Sequence, residues 1–163
     1  MAGQPQDGAA ATARALAQQL VSRERRATEG PADVVRVMER VVERLRVHLS
    51  RWFGPDGFDA LLARALHRAR ANHDVLREVR NGSQGMLEFG RLAKDLQARP
   101  SDEANEVVLA LLEAFVILLA RMLGDDLAKR LIEQSWTSEP RADHAAYSES
   151  SSSESSAEEK STS

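Results

Sequence analysis

One long apolar segment constrains this chain more than any other feature. It reads VVLALLEAFVILLARML over residues 107–123, and its only charged residues are Glu113 and Arg121. A membrane span needs about 20 predominantly apolar residues, and a carboxylate in its middle is costly. This segment is shorter, has Glu113 near its centre and is flanked by acidic rather than basic residues. We therefore predict the central helix of a bundle and not a membrane span.

A narrow polar-tolerant stripe runs along the segment at helical spacing. Its members recur every three or four residues, and the residues between them are almost all Val, Leu, Phe, Met or Ala. Such a pattern is typical of a helix that its neighbours cover on most sides and that reaches water along one strip. The stripe comprises Glu106, Ala110, Glu113, Ile117 and Arg121.

The other apolar residues also recur at helical spacing, and strand-type alternation is absent, so the predicted fold class is all-α. We expect a single-domain bundle of four to five helices around a central apolar helix over residues 103–123. The bundle domain spans residues 31–136. A loosely ordered N-terminal arm, with a weak amphipathic helix over about 9–26, covers residues 1–30, and a disordered Ser/Glu-rich tail covers residues 137–163.

The first two bundle helices are separated by Gly-Pro-Asp-Gly at 54–57, which predicts a chain reversal and an antiparallel pair. The first helix runs from Pro31 to about Phe53, and its core-facing seam ends at Trp52. The second helix extends to about Arg80. Its predicted buried residues are Phe58, Leu61, Leu62, Ala65, Leu66, Ala69, Leu76 and Val79.

Three further helices complete the predicted bundle. A short one covers residues 86–98, and the central helix follows with Ser101 as its candidate N-cap. Gly124 ends the central helix, and Asp125 or Asp126 caps the final one. The residues of the final helix that we expect to point inward are Leu127, Leu131, Ile132 and Trp136.

Two fragments repeat one order of residues 70 positions apart. They are LSRWFGPDGFDALLARAL from Leu49 and LARMLGDDLAKRLIEQSW from Leu119. A duplication would make the body two pseudo-repeated helical hairpins. The alternative is that Leu-rich hairpins resemble each other by chance.

The same fragments resemble a group of small, uncharacterised bacterial all-α proteins. The resemblance rests on an FGP-x-GF-x-ALL-x-RAL segment, matched from Phe53 to Leu66, and on a G-[ED]-[ED]-L-x-x-RL-x-x-x-W ending. In this chain the ending begins at Gly124, and Trp136 follows one residue later than the pattern has it. The resemblance covers roughly residues 34–136. It implies an all-α fold and no established activity.

The sequence carries no signature of catalysis. There is no cysteine, and the four histidines (His48, His67, His73 and His144) lack the spacing of metal ligands. No glycine-rich phosphate loop occurs. We therefore predict no catalytic residue, no metal and no cofactor, and we expect His48 to be a hydrogen-bonded imidazole at the edge of the core.

The charges are unevenly distributed. Residues 22–80 carry thirteen Arg against nine acids, and residues 81–140 carry six Arg or Lys against ten acids. Opposed halves could dock against each other or between copies; an accidental imbalance on solvated faces is the alternative. The candidate basic surface is Arg64, His67, Arg68 and Arg70. The apolar residues expected to be buried or partner-facing are Trp52, Phe58, Phe115, Leu118 and Trp136.

Three functions follow as hypotheses. The first is a protein-interaction module that binds a protein partner or a second copy. The alternative is a sensor or carrier for an apolar small molecule, and the third is a nucleic-acid-associated regulator. The N-terminus lacks the basic and apolar regions of a secretory signal, because Arg14 interrupts its alanines. We therefore expect a cytoplasmic protein without a membrane partner.

Overall fold

The computed structural model describes residues 5–25, 33–79 and 89–137. In this part of the chain a short 3₁₀ helix at Asp74–Glu78 and five α-helices occur, without any strand, which confirms the predicted all-α fold. The predicted tail beyond Thr137 lies outside the described residues. The α-helices are α1 (Pro5–Glu24), α2 (Val34–Ala69), α3 (Phe89–Gln97), α4 (Ser101–Leu123) and α5 (Asp125–Thr137).

Helix α4 is the centre of the bundle, because each of the other four helices contacts it. Between residues 107 and 119 only Ala110, Glu113 and Ile117 are partly exposed, and every other residue is buried. Glu106 and Arg121 continue the same strip and are exposed. The predicted strip is therefore confirmed. Among the described residues no helix is both long and apolar enough to cross a bilayer.

Helix α1 is not the loosely attached arm that the sequence predicts. It packs mainly on α4 and also contacts α2. Its few large apolar residues suffice because alanines lie between them, and small side chains let two helices approach closely. The residues it buries are Ala13, Leu16, Ala17, Leu20 and Val21.

The break between the first two predicted helices is a single residue. Gly54 has φ 73° and ψ 164°, and helical structure resumes at Pro55, so two helices meet at this residue within the span of α2, and Arg46 before it contacts Asp59 beyond it. The predicted break between two helices is confirmed, but it takes one residue and not four. Proline is well suited to the first helical position after a break because its missing N–H has no partner there. The Gly54 conformation belongs to a region that only glycine adopts readily.

Gly124 repeats this conformation 70 residues later, with φ 89° and ψ 154°. Its N–H donates to the Ala120 carbonyl at 2.7 Å, and its own carbonyl accepts from the Ala128 N–H at 3.0 Å. The glycine therefore ends α4, as predicted, and also starts α5. The predicted capping role of Asp125 or Asp126 is wrong, because Gly124 occupies the position before the first turn.

Two other helix ends differ from the prediction. Helix α2 ends at Ala69 rather than near Arg80, because Arg70 bonds backbone carbonyls further along the chain. Leu76 and Val79 are nevertheless buried. Ser101 is the first residue of α4, and Pro100 takes the N-cap position assigned to it. Helix α3 begins at Phe89, and the earlier part of its predicted span, 86–88, lies outside the described residues.

Gly54→Ala should lower the free energy of unfolding by about 1–3 kcal/mol, because alanine is strained in this region of φ and ψ. No atom lies within 4 Å of the added Cβ, so crowding contributes nothing. Urea denaturation measures the change. The control is Gly90→Ala, equally open but helical without a positive φ, which should raise the same quantity by about 0.4–1 kcal/mol. Equal effects of the two substitutions would contradict the strain.

Candidate functional site

The outward strip of α4 is where α1 places its arginine. One terminal nitrogen of Arg14 donates to both carboxylate oxygens of Glu106, at 2.7 and 2.6 Å, and the other lies 3.4 Å from a Glu113 oxygen. The hydrogen bond to Glu106 is the main cause that raises the pKa of Arg14, and Glu113 adds to it. Since the pair is well exposed, it contributes only about 0–1 kcal/mol of stability. Its main effect is to fix the register of α1 along α4, and it adds little to the strength of their packing.

A more buried charge cluster holds the C-terminal end of α1. The Glu24 carboxylate is only 9% exposed and lies 2.6 Å from Arg44 Nε and 3.8 Å from Arg40 Nε. Arg40 also donates to the Glu24 backbone carbonyl at 3.0 Å. The guanidinium carbon of Arg44 lies 5.6 Å from the centre of a Trp136 ring. The cluster therefore joins α1, α2 and α5. Sequence reasoning missed it, although the four-residue spacing of Arg40 and Arg44 places both on one helix face.

His48 continues the face of Arg40 and Arg44 by one more turn of α2. Its Nε2 is buried without a hydrogen-bond partner in the described structure, so the predicted hydrogen-bonded imidazole is wrong at this nitrogen. Burial lowers the pKa of His48, and the nearby Arg51 charge lowers it further. Trp136 is partly buried, and its Nε1 is likewise without a partner.

Three of the predicted apolar residues belong to the core. Phe58 and Phe115 are fully buried and contact each other with ring centres 5.5 Å apart. Leu118 is buried beside them in the same cluster. Arg46 covers the Phe58 ring at 5.4 Å and pairs with Asp59 at 2.6 Å. These residues hold α2 on α4 and are not available to a partner.

The predicted basic surface is smaller than expected. Arg64, His67 and Arg68 are exposed on α2, but Arg70 is partly buried. Its Nε donates to the Leu76 carbonyl at 3.0 Å, and a terminal nitrogen donates to the Val79 carbonyl. The guanidinium of Arg70 therefore holds the turn after α2 and is largely unavailable to a phosphate.

Within the described residues, four large apolar side chains are exposed: Trp52 (63%), Met122 (60%), Val47 (54%) and Leu127 (44%). The predictions that Trp52 closes the core seam and that Leu127 points inward are therefore wrong. Trp52 lies in the last turn before Gly54, and Leu127 lies in the first turn after Gly124. Ala128 and Ser135 are buried in α5 instead.

The two kinks carry the same order of exposed groups. We call Arg51, Trp52, Gly54 and Asp56 the first corner, and Arg121, Met122, Gly124 and Asp126 the second corner. The members correspond one to one at the 70-residue offset. All four charged residues are exposed, and none of them makes an ion pair within the described part of the chain.

A groove of about 410 Å³ lies between α1 and α5. It is open to solvent, whereas sites for small ligands bury most of the ligand's surface. This groove therefore gives little support to a carrier of an apolar molecule. Its lining residues are Thr12, Ala15, Leu16, Gln18, Gln19, Ser22, Lys129 and Glu133.

Among the described residues no cluster of His, Asp and Glu is arranged to hold a metal ion. No protein-family model, no curated protein and no solved structure matches the chain. The resemblance to a group of bacterial all-α proteins therefore stays a prediction.

Glu24→Gln should weaken the docking of α1 by about 1–3 kcal/mol, because it removes a buried charge that two arginines share. Hydrogen exchange of the α1 backbone amides, read by mass spectrometry, measures the loosening. The matched control is Glu43→Gln, whose carboxylate is well exposed and lies as far as 4.0 Å from Arg46 Nε. It should stay within about 0.5 kcal/mol of the native chain. Equal α1 exchange in both variants would refute the role of Glu24.

His48 should make stability fall as the pH is lowered. Because burial lowers its pKa in the folded state, the unfolded chain takes up a proton first, at about pH 6.5. The free energy of unfolding then declines from about pH 6.5 down to the folded pKa. In His48→Gln this decline should be smaller, as measured by urea denaturation across that window. His67→Gln, at an exposed position, should follow the native curve. If the free energy of unfolding falls equally with pH in the native chain and in His48→Gln, His48 does not contribute to the decline.

Proposed function

We propose that this chain is a helical protein-interaction module, which acts by self-association or by binding a partner helix. The observation that carries the proposal is the exposure of Trp52, the largest side chain type, at the first corner. Isolated exposed aliphatic residues are common on protein surfaces and need no explanation. A tryptophan left 63% exposed forgoes far more apolar burial than such a residue does.

The neighbourhood of Trp52 supports contact with a protein. Tryptophan and arginine are the residues most enriched among those that dominate binding energy at interfaces. Arg51 stands directly before Trp52 and is exposed, so the first corner offers both types together. A buried tryptophan contributes about 150–250 Å² of contact area, which gives one side chain a large share of a small interface.

The packing of α1 supports the helix-binding form of the proposal. Alanines and a few large residues of α1 lie mainly on α4. Arg14, near the middle of α1, pairs with Glu106 of α4. Glu24, at the C-terminal end of α1, pairs with Arg44 of α2. The bundle thus already holds a modestly apolar helix through charge-matched contacts. By comparison, the partly buried Arg70 weakens the nucleic-acid hypothesis, and the openness of the groove to solvent weakens the small-molecule hypothesis.

The proposal is tested by placing the photo-crosslinking residue p-benzoylphenylalanine at position 52 of the full chain in the producing cells. Illumination should yield a recurrent adduct with one protein, either this chain or another, identified by the masses of its peptides. The matched control carries the same residue at position 64, which is also exposed on α2. Equal adduct yields at the two positions, or none at position 52, would overturn the proposal.

A further inference from the structure

We propose that the first corner binds a second copy of this chain around a two-fold axis. In this contact Trp52 of each copy lies at the centre, and Arg51 of each copy faces Asp56 of the other. The inference rests on the proposed function and names its partner.

The charges of the first corner are self-complementary. Arg51 precedes Gly54 and Asp56 follows it, both are exposed, and neither makes an ion pair within the described residues. A two-fold contact brings the same patch of both copies together, so residue i of one meets residue j of the other and the reverse. The first corner has one exposed cation and one exposed anion, so two copies related by a two-fold axis can form this pair twice.

The same charges argue against a partner whose contact surface carries charges of only one sign. An acidic partner would gain from Arg51 and be repelled by Asp56, and a basic partner would meet the opposite problem. A second copy turned by 180° matches both groups at once. The mixed charges therefore favour a like copy over a strongly acidic or strongly basic protein.

The second corner is the natural internal control. It has the same order of groups, but Met122 replaces the tryptophan and two acids, Asp125 and Asp126, oppose the single Arg121. Both acids are exposed, so the groups next to Gly124 lack the one-to-one match of Arg51 and Asp56. Methionine is also a more flexible anchor than tryptophan. We expect no self-association through this corner.

The contact should be weak and reversible. A stable interface buries about 800 Å² on each partner, and one tryptophan supplies about 150–250 Å² of that. The appropriate measurement is therefore sedimentation of the full chain across the micromolar range, at low and at high salt. The native chain should show a monomer–dimer equilibrium that salt weakens, because exposed charge pairs are screened.

Trp52→Ala should weaken the dimer at least about tenfold, as expected for a central anchor. Met122→Ala, at the equivalent and equally exposed position, should leave the equilibrium unchanged. Circular dichroism should show the same helix content in both variants. A strictly monomeric native chain, or equal weakening by the two substitutions, would overturn the inference.

The decisive arm exchanges the two charges between copies. Arg51→Asp and Asp56→Arg should each weaken self-association, because each creates repulsion across the two-fold axis. An equimolar mixture of the two variants should instead form mixed dimers at least as tight as the native dimer, since both charge pairs are restored. Arg121→Asp and Asp126→Arg are the matched controls and should leave the native equilibrium unaltered. A mixture no tighter than its components would exclude the reciprocal contact.

The two proposals fail in different ways. A photo-adduct at position 52 with another protein, together with a monomeric native chain, would remove the second copy as partner and leave the interaction module standing. The absence of any adduct at position 52 together with a monomeric chain would remove both. A native dimer that Trp52→Ala leaves intact would place self-association on another surface and would overturn the inference.

Discussion

The burial of α4 on nearly its whole circumference is the constraint on which the rest of the structure depends. A helix with one narrow strip open to water must be covered from several directions, and the other four helices all contact it. The core consists mainly of Leu, Val and Ala, with Phe58 against Phe115 as its aromatic pair. Apolar burial of this kind is non-directional, and therefore it holds the helices together without fixing how they are oriented.

Orientation comes from charged groups at the edge of this core. Arg14 of α1 lies on the strip of α4 that apolar neighbours leave open. Glu24, at the C-terminal end of α1, pairs with Arg40 and Arg44 of α2. Exposed pairs add little to the free energy of folding, but a misplaced helix would leave Glu24 buried without its counter-charges. The apolar surface thus supplies most of the stability, and the ion pairs select one register of α1.

The sequence predicts those features that follow from periodicity along one helix. The strip of α4, its end at Gly124 and the buried residues of α2 were recovered in this way. It does not predict features set by residues far away in the chain. Arg14 meets carboxylates 92 and 99 residues later, and α2 ends early because Arg70 bonds the carbonyls of residues 76 and 79.

The exposed Trp52 shows a second limit of periodicity. Spacing gives the direction in which a side chain points, but it does not show where the neighbouring helix ends. Trp52 was therefore placed at the end of the core seam as well as among the buried or partner-facing residues, and the neighbouring charges Arg51 and Asp56 were not singled out. The 70-residue offset was the available signal, because it pairs Trp52 with Met122, a residue that has no place in the polar-tolerant strip of α4 and is equally exposed.

Where two helices are joined through one glycine, no further connecting residues can absorb a change in chain length. In a loop of several residues an insertion is absorbed by local rearrangement, but Gly54 and Gly124 are each followed at once by helix. One residue added after either glycine would turn the next helix by about 100° about its own axis. That turn would carry Phe58, or Ala128 and Ile132, away from the core. Insertions and deletions at these two positions should therefore not be tolerated. The angle between the helices at each corner depends on a single residue.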